Sequence, residues 1–103
     1  MAHPSIVTQT GTGTSAWIPV DHTQNAFAIG FGCVTSGTVT YDVQHTFDDI
    51  QNSSVTPTAF THSTVTGKIA NQDGNYAFPI KAIRLNVTAG TGTVTITILQ
   101  GRK

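Results

Sequence analysis

Residues 78–103, "FPIKAIRLNVTAGTGTVTITILQGRK", alternate apolar and polar side chains almost without a break around a Gly-Thr-Gly centre. Strict alternation marks a strand with one face buried and the other wet. A turn centred on Gly90-Thr91 would set Val87 beside Val94, Leu85 beside Ile96 and Ile83 beside Ile98 on one face. The opposite face would take Thr88 with Thr93, Asn86 with Thr95 and Arg84 with Thr97. The stretch therefore predicts a hairpin, in which each good cross-strand pair is worth roughly 0.2–1 kcal/mol. Upstream the apolar parity changes. Tyr76, Phe78 and Ile80 fall on even numbers, whereas Ile83, Leu85 and Val87 fall on odd ones. A β-bulge near Lys81 and Ala82, or a strand that passes from one sheet to another there, would reconcile the two.

The segment "AFAIGFGCVTSGTVTYDVQHTF", residues 26–47, sorts in the same manner. It predicts a hairpin with Gly37 in the left-handed position of a three-residue loop. With Val34 opposite Thr38, Cys33 pairs with Val39, Phe31 with Tyr41, Ile29 with Val43 and Phe27 with His45, so the large apolar residues share one face. A slip of one residue would destroy that sorting. The other face, with Ala26, Ala28, Gly30, Gly32 and Val34, is nearly bare. Small residues let another backbone come close, either inside the domain or in a neighbouring subunit.

Elsewhere the strand signals are weaker. Residues 1–15 carry the run "TQTGTGTS" and little to bury, and read as an extended N-terminal arm or an edge strand. "AWIPV" (16–20) is a short strand that Pro19 confines to an edge or a strand end. A polar loop with Pro57 follows at 48–58, then a weak strand at 59–68, and Asp73-Gly74 reads as a turn between extended segments. No stretch shows a sustained 3.6-residue apolar period. The pattern predicts an all-β chain: a two-sheet antiparallel β-sandwich or jelly-roll-like barrel of about six to eight short strands, with little or no helix. Residues 16–103 are expected to form the single β-sandwich domain, with 1–15 as its arm.

Composition narrows the function classes. Charged residues make up 10% of the 103, with no Glu and a formal net charge of zero, against about 25% in typical soluble domains. Lys68, Lys81, Arg84, Arg102 and Lys103 are scattered, so no basic surface for nucleic acid is expected. So low a charge fits a surface covered in an assembly, or one kept wet by Thr, Ser, Asn and Gln. Cys33 is the sole cysteine, which excludes an internal disulfide. The first residues lack the pattern of a signal peptide, and no apolar run approaches the ~20 residues that span a bilayer. The sequons at Asn52 and Asn86 read as chance spellings in the absence of a secretion signal.

Chemistry-bearing residues do not gather into a motif. Asp48, Asp49 and Asp73 lack the Asp-x-Asp-x-Asp-Gly spacing of a calcium loop and read as loop acids. His3, His22, His45 and His62 have no metal-ligand spacing, and His45 reads as a packed or hydrogen-bonded side chain. Cys33 on an apolar strand face reads as a small hydrophobe rather than a nucleophile. "GTGTS" has no following Lys-Ser/Thr and is not a phosphate loop. Alternate threonines suggest an ice-binding array, but no fixed repeat supports one. Trp17, Tyr41 and Tyr76 are the candidate carbohydrate platform, against ordinary core or interface packing.

"VQHTFDDIQ…SVTPTAF" together with "GNYAFPIKAIRLNVTAGTGTVTITILQG" resembles small phage-encoded proteins of the virion structural genes. The likeness runs over about residues 39–100 and rests on Phe78-Pro79, Ala82 to Thr88 and Thr93-Val94-Thr95. It implies a structural virion protein of a tailed bacteriophage, foremost a capsid decoration or cement protein that stabilises the head by binding the major capsid protein. A neck, tail or fibre component and a carbohydrate-binding β-sandwich module are the alternatives. No enzyme, cofactor, metal, nucleic-acid or membrane role is implied. Such proteins are often trimeric, so a homo-oligomer with trimer favoured is expected, assembled in the host bacterial cytoplasm and sited on the capsid surface. The expected partner contacts lie on the arm and the first strand candidate: His3, Ile6, Val7, Thr8, Thr10, Thr12 and Trp17.

Overall fold

The computed structural model describes residues 5–20, 29–52 and 54–100. The described residues form nine strands and no helix. In chain order these are β1 (Ser5–Thr10), β2 (Gly13–Thr14), β3 (Ile18–Pro19), β4 (Ile29–Ser36), β5 (Val39–Thr46), β6 (Phe60–Thr61), β7 (Gln72–Tyr76), β8 (Ala82–Gly90) and β9 (Thr93–Gln100). A four-stranded sheet has the order β1-β9-β4-β7, and a five-stranded sheet has the order β2-β8-β5-β6 with β3 also on β8. The two antiparallel sheets make a β-sandwich, as the alternation predicts. The strand number exceeds the expected range because three strands are only two residues long.

Neither predicted hairpin forms. β4 and β5 lie in opposite sheets, and so do β8 and β9. β4 pairs instead with β9, setting Phe31 against Ile98 and Cys33 against Ile96. β5 pairs with β8, setting Tyr41 against Val87 and Val43 against Leu85. Each intended hairpin is an arch that crosses the core edge. Face sorting survives because two strands that face each other across a core also turn alternate residues inward, odd-numbered ones on β4, β5 and β8 and even-numbered ones on β9. Parity therefore fixes which side chains are buried and is silent on which strand is the neighbour.

The two crossings lie side by side. The Gly92 amide donates to the Thr38 carbonyl at 2.8 Å. Gly37 (φ 81°) and Gly90 (φ 95°) take the left-handed backbone that favours glycine. A Cβ on Gly90 would strike the Thr38 carbonyl oxygen, and one on Gly92 would stand 2.5 Å from the Ser36 carbonyl oxygen.

The parity change near Lys81 is a change of sheet, the second of the two expected alternatives. β7 belongs to the four-stranded sheet and β8 to the five-stranded one. The bulge lies elsewhere, where Thr40 and Tyr41 face Ala89 and Val87 and leave Thr88 as the extra residue. Asp73-Gly74 is not a turn but the middle of β7. Gly stands there for space, because a Cβ would lie 2.7 Å from Phe31 Cζ and 3.2 Å from Val65 Cγ2.

The core fills the gap between the sheets with Ile29, Phe31, Cys33, Val94, Ile96 and Ile98 from one side and Val39, Tyr41, Val43, Ile83, Leu85 and Val87 from the other. Val65, Tyr76 and Ile80 complete it. The N-terminal segment joins both sheets. β1 runs along β9 from Ser5↔Ile98 to Thr10↔Thr93. After Gly11 (φ 72°) and Gly13 (φ 136°), β2 takes up β8 at Val87 and Asn86. Buried Ser15 then fixes the chain: its amide donates to the Leu85 carbonyl and its hydroxyl accepts the Leu85 amide, both at 2.9 Å. Within the described part of the expected arm, residues 5–10 are an edge strand.

Candidate assembly surfaces

The outer face of the four-stranded sheet is open and almost uncharged. Register places Ile6, Thr97, Gly32 and Asp73 in one row across all four strands. Leu99, Gly30 and Asn75 form the row on one side, and Thr8, Thr95 and Val34 the row on the other. Ile6, Val34 and Leu99 are 62%, 59% and 53% exposed. Nothing lies within 4 Å of where a Cβ would stand on Gly30 or Gly32. Among the described residues, nothing packs on this part of β4, which faces outward; Ala26 and Ala28 lie outside them. The threonine hydroxyls pair with each other across the strands, Thr8 with Thr95 at 3.0 Å and Thr10 with Thr93 at 3.3 Å. Among the described residues, the only charge on this face is Asp73, at its β7 edge.

The five-stranded sheet has a more polar outer face. There the Arg84 guanidinium sits 4.4 Å over the Trp17 ring centre, a cation–π contact. Arg84 Nε also donates to Gln44 Oε1 at 2.8 Å.

A third surface had no sequence signal. Phe47, Phe60 and Phe78 come from two loops and a two-residue strand, and each is about half exposed. Their rings lie 5.6 Å (Phe47–Phe60) and 6.3 Å (Phe47–Phe78) apart. They surround buried His45, whose Nδ1 is 2.8 Å from the Tyr76 hydroxyl. Burial, with His62 nearby as a second cause, holds the His45 imidazolium below its ordinary range. His62 Nδ1 accepts the amides of Thr64 and Val65, both at 3.2 Å, so its Nε2–H donates to the Asn75 carbonyl at 2.9 Å. The rings cluster by tertiary contact alone, with no periodic spacing in the sequence.

The seven expected contact residues divide among these surfaces. Ile6, Thr8 and Thr10 point outward and are exposed. Val7 points inward, half-buried against the core. Thr12 is exposed in the crossing between β1 and β2. Trp17 lies half-buried under Arg84 on the other sheet. His3 lies outside the described residues, as does Phe27, the expected neighbour of His45.

The remaining candidates have structural duties. Asp48 Oδ2 accepts the Thr58 amide at 2.7 Å, and Asp49 Oδ1 accepts the Gln51 amide at 3.0 Å. Among the described residues no three His, Cys, Asp or Glu side chains meet as a metal site. Burial pushes the Cys33 thiol up to about 12, the opposite of activation. Tyr41 and Tyr76 are buried, so neither offers a ring face to a sugar.

No family model matches the chain, and no curated protein matches it. Among solved structures it is similar to a protein described under "Bacillus endospore appendages form a novel family of disulfide-linked pili". The TM-score is 0.52 at 14% identity, over 100% of this chain and 88% of that one. At that identity the likeness is one of fold.

Proposed function

We propose that the chain is a structural subunit of a tailed-phage virion, a decoration protein that binds the major capsid protein and braces the head from outside. The observation that carries this reading is the outer face of the four-stranded sheet, with its exposed Ile6, Val34 and Leu99 and one charge. Three exposed apolar side chains on a face so poor in charge suit contact with another protein. The likeness of residues 39–100 to phage virion proteins supplies the setting. The sandwich acts as a rigid brace, and the N-terminal segment with β1 adds a second contact beside it. Each contact is weak, and many copies on one shell sum by multivalency. Purified protein mixed with undecorated particles should co-sediment with them. Recovery in the supernatant alone would overturn the reading.

A second reading, a subunit of a pilus-like filament, is favoured by the fold likeness to the appendage protein over the whole chain. That protein is described as disulfide-linked. Here the only cysteine, Cys33, is 2% exposed, so copies would hold together without such a bond. Electron microscopy of concentrated protein separates the two readings: fibres support the filament, and discrete particles support the decoration protein.

A further inference from the structure

Among the described residues, each sheet ends in a strand with a free side at both ends, and all but one of these edges are blunted. On the five-stranded sheet, β2, β3 and β6 are two residues each, and β3 contains Pro19. On the four-stranded sheet, β7 carries exposed Asp73, and the 62–65 loop lies beside it. His62 Nε2 bonds to the Asn75 carbonyl, and Val65 packs against Gly74. Charge, Pro, shortness and loop cover are the usual protections against edge-to-edge pairing. Among the described residues, β1 has none of them. "SIVTQT" is six residues long, uncharged, free of Pro and unbulged along β9.

The hydrogen-bond phase of β1 shows what its free side offers. Gly11 donates to the Gly92 carbonyl at 3.0 Å, in the same register as the whole β1–β9 pair. Antiparallel bonding alternates, so Ser5, Val7 and Gln9 bond toward β9. The N–H and C=O of Ile6, Thr8 and Thr10 point away from the sheet.

We infer that β1 pairs antiparallel with β1 of a second copy across a two-fold axis, joining two four-stranded sheets into one continuous sheet. Inward residues must face inward residues, which restricts the register to an axis through a residue rather than between two. An axis at Val7 would set Thr10 opposite Pro4, which has no N–H to give. An axis at Thr8 sets Thr8 opposite Thr8 of the partner subunit, Ile6 opposite Thr10 of the partner subunit, and Val7 opposite Gln9 of the partner subunit. Every free edge group of β1 is then satisfied. The absence of charge in β1 lets two identical strands meet without repulsion. An isologous contact closes as a dimer.

The inference does not rest on the virion reading, since it is measured on the purified full chain with no particle present. Sedimentation velocity over a rising concentration series should show a discrete monomer–dimer equilibrium. Thr8→Pro deletes an N–H that faces the free edge and leaves the β9 bonds intact, and should weaken the dimer about tenfold or more. Thr8→Lys sets like charges opposite each other at the axis and should do the same. It remains informative if the Pro variant misfolds, as far-UV circular dichroism would report. Thr88→Lys, exposed on the other sheet, should leave the dimer unchanged. A chain that stays monomeric throughout overturns the inference. So does a dimer indifferent to both Thr8 substitutions, or growth of open fibres, which would mean a head-to-tail contact. A chain that dimerises yet fails to co-sediment with particles would overturn the proposed function and leave this inference standing.

Discussion

Gly90 and Gly32 show how differently one residue type is used. Gly90 combines a left-handed φ of 95° with no room for a Cβ beside Thr38. Gly90→Ala should therefore cost roughly 2–4 kcal/mol, read as a lower urea midpoint at unchanged slope. Gly32 lies in ordinary strand backbone beneath open space, and Gly32→Ala should stay within about 0.5 kcal/mol of the parent. Cys33, 2% exposed with its thiol pushed up to about 12, should resist thiol reagents in the folded protein and react only on unfolding. His45 gives a pH dependence whose sign follows from burial. Its folded pKa lies below the ordinary 6.5, so the unfolded chain takes up the extra proton first. The stability from this group is whole above the unfolded value and is lost as pH falls through 6.5 toward the folded value. Thermal scans from pH 8 to pH 5 should show Tm falling, and His45→Gln should remove part of that fall.

At the scale of the element, the sequence identifies buried faces well and strand neighbours poorly. The inward sets 29/31/33, 39/41/43, 83/85/87 and 94/96/98 are all core, as alternation says. The pairing was illegible because Gly37 and Gly90 satisfy a hairpin turn and a sandwich arch equally well, and local signals hold no information on which sheet the chain enters next. The tie is broken only in three dimensions, where the crossings hydrogen-bond each other through Gly92 and Thr38. Nuclear Overhauser contacts between backbone protons decide the matter: Cys33 should meet Ile96, and Tyr41 should meet Val87. Contacts from Cys33 to Val39 would restore the hairpin. Asp73-Gly74 failed as a turn signal because its glycine answers to the Phe31 ring, a distant residue.

The whole molecule joins a compact core to a surface that is unusually poor in charge. A sandwich this small gains little from placing Ile6, Val34 and Leu99 in water, and an unprotected β1 edge invites a second chain. Both features make sense in a building unit. The proposed function draws its setting only from the likeness of residues 39–100 to virion proteins, because a building unit needs no constellation of reactive side chains. The aromatic end around His45 was invisible in the sequence, since its rings come from three separate segments. The most direct test of the proposed virion role is quantitative mass spectrometry of purified tailed-phage particles whose genome carries the gene for this chain. A decoration protein should be present on the order of hundreds of copies per particle. Its absence from the particles would contradict the account.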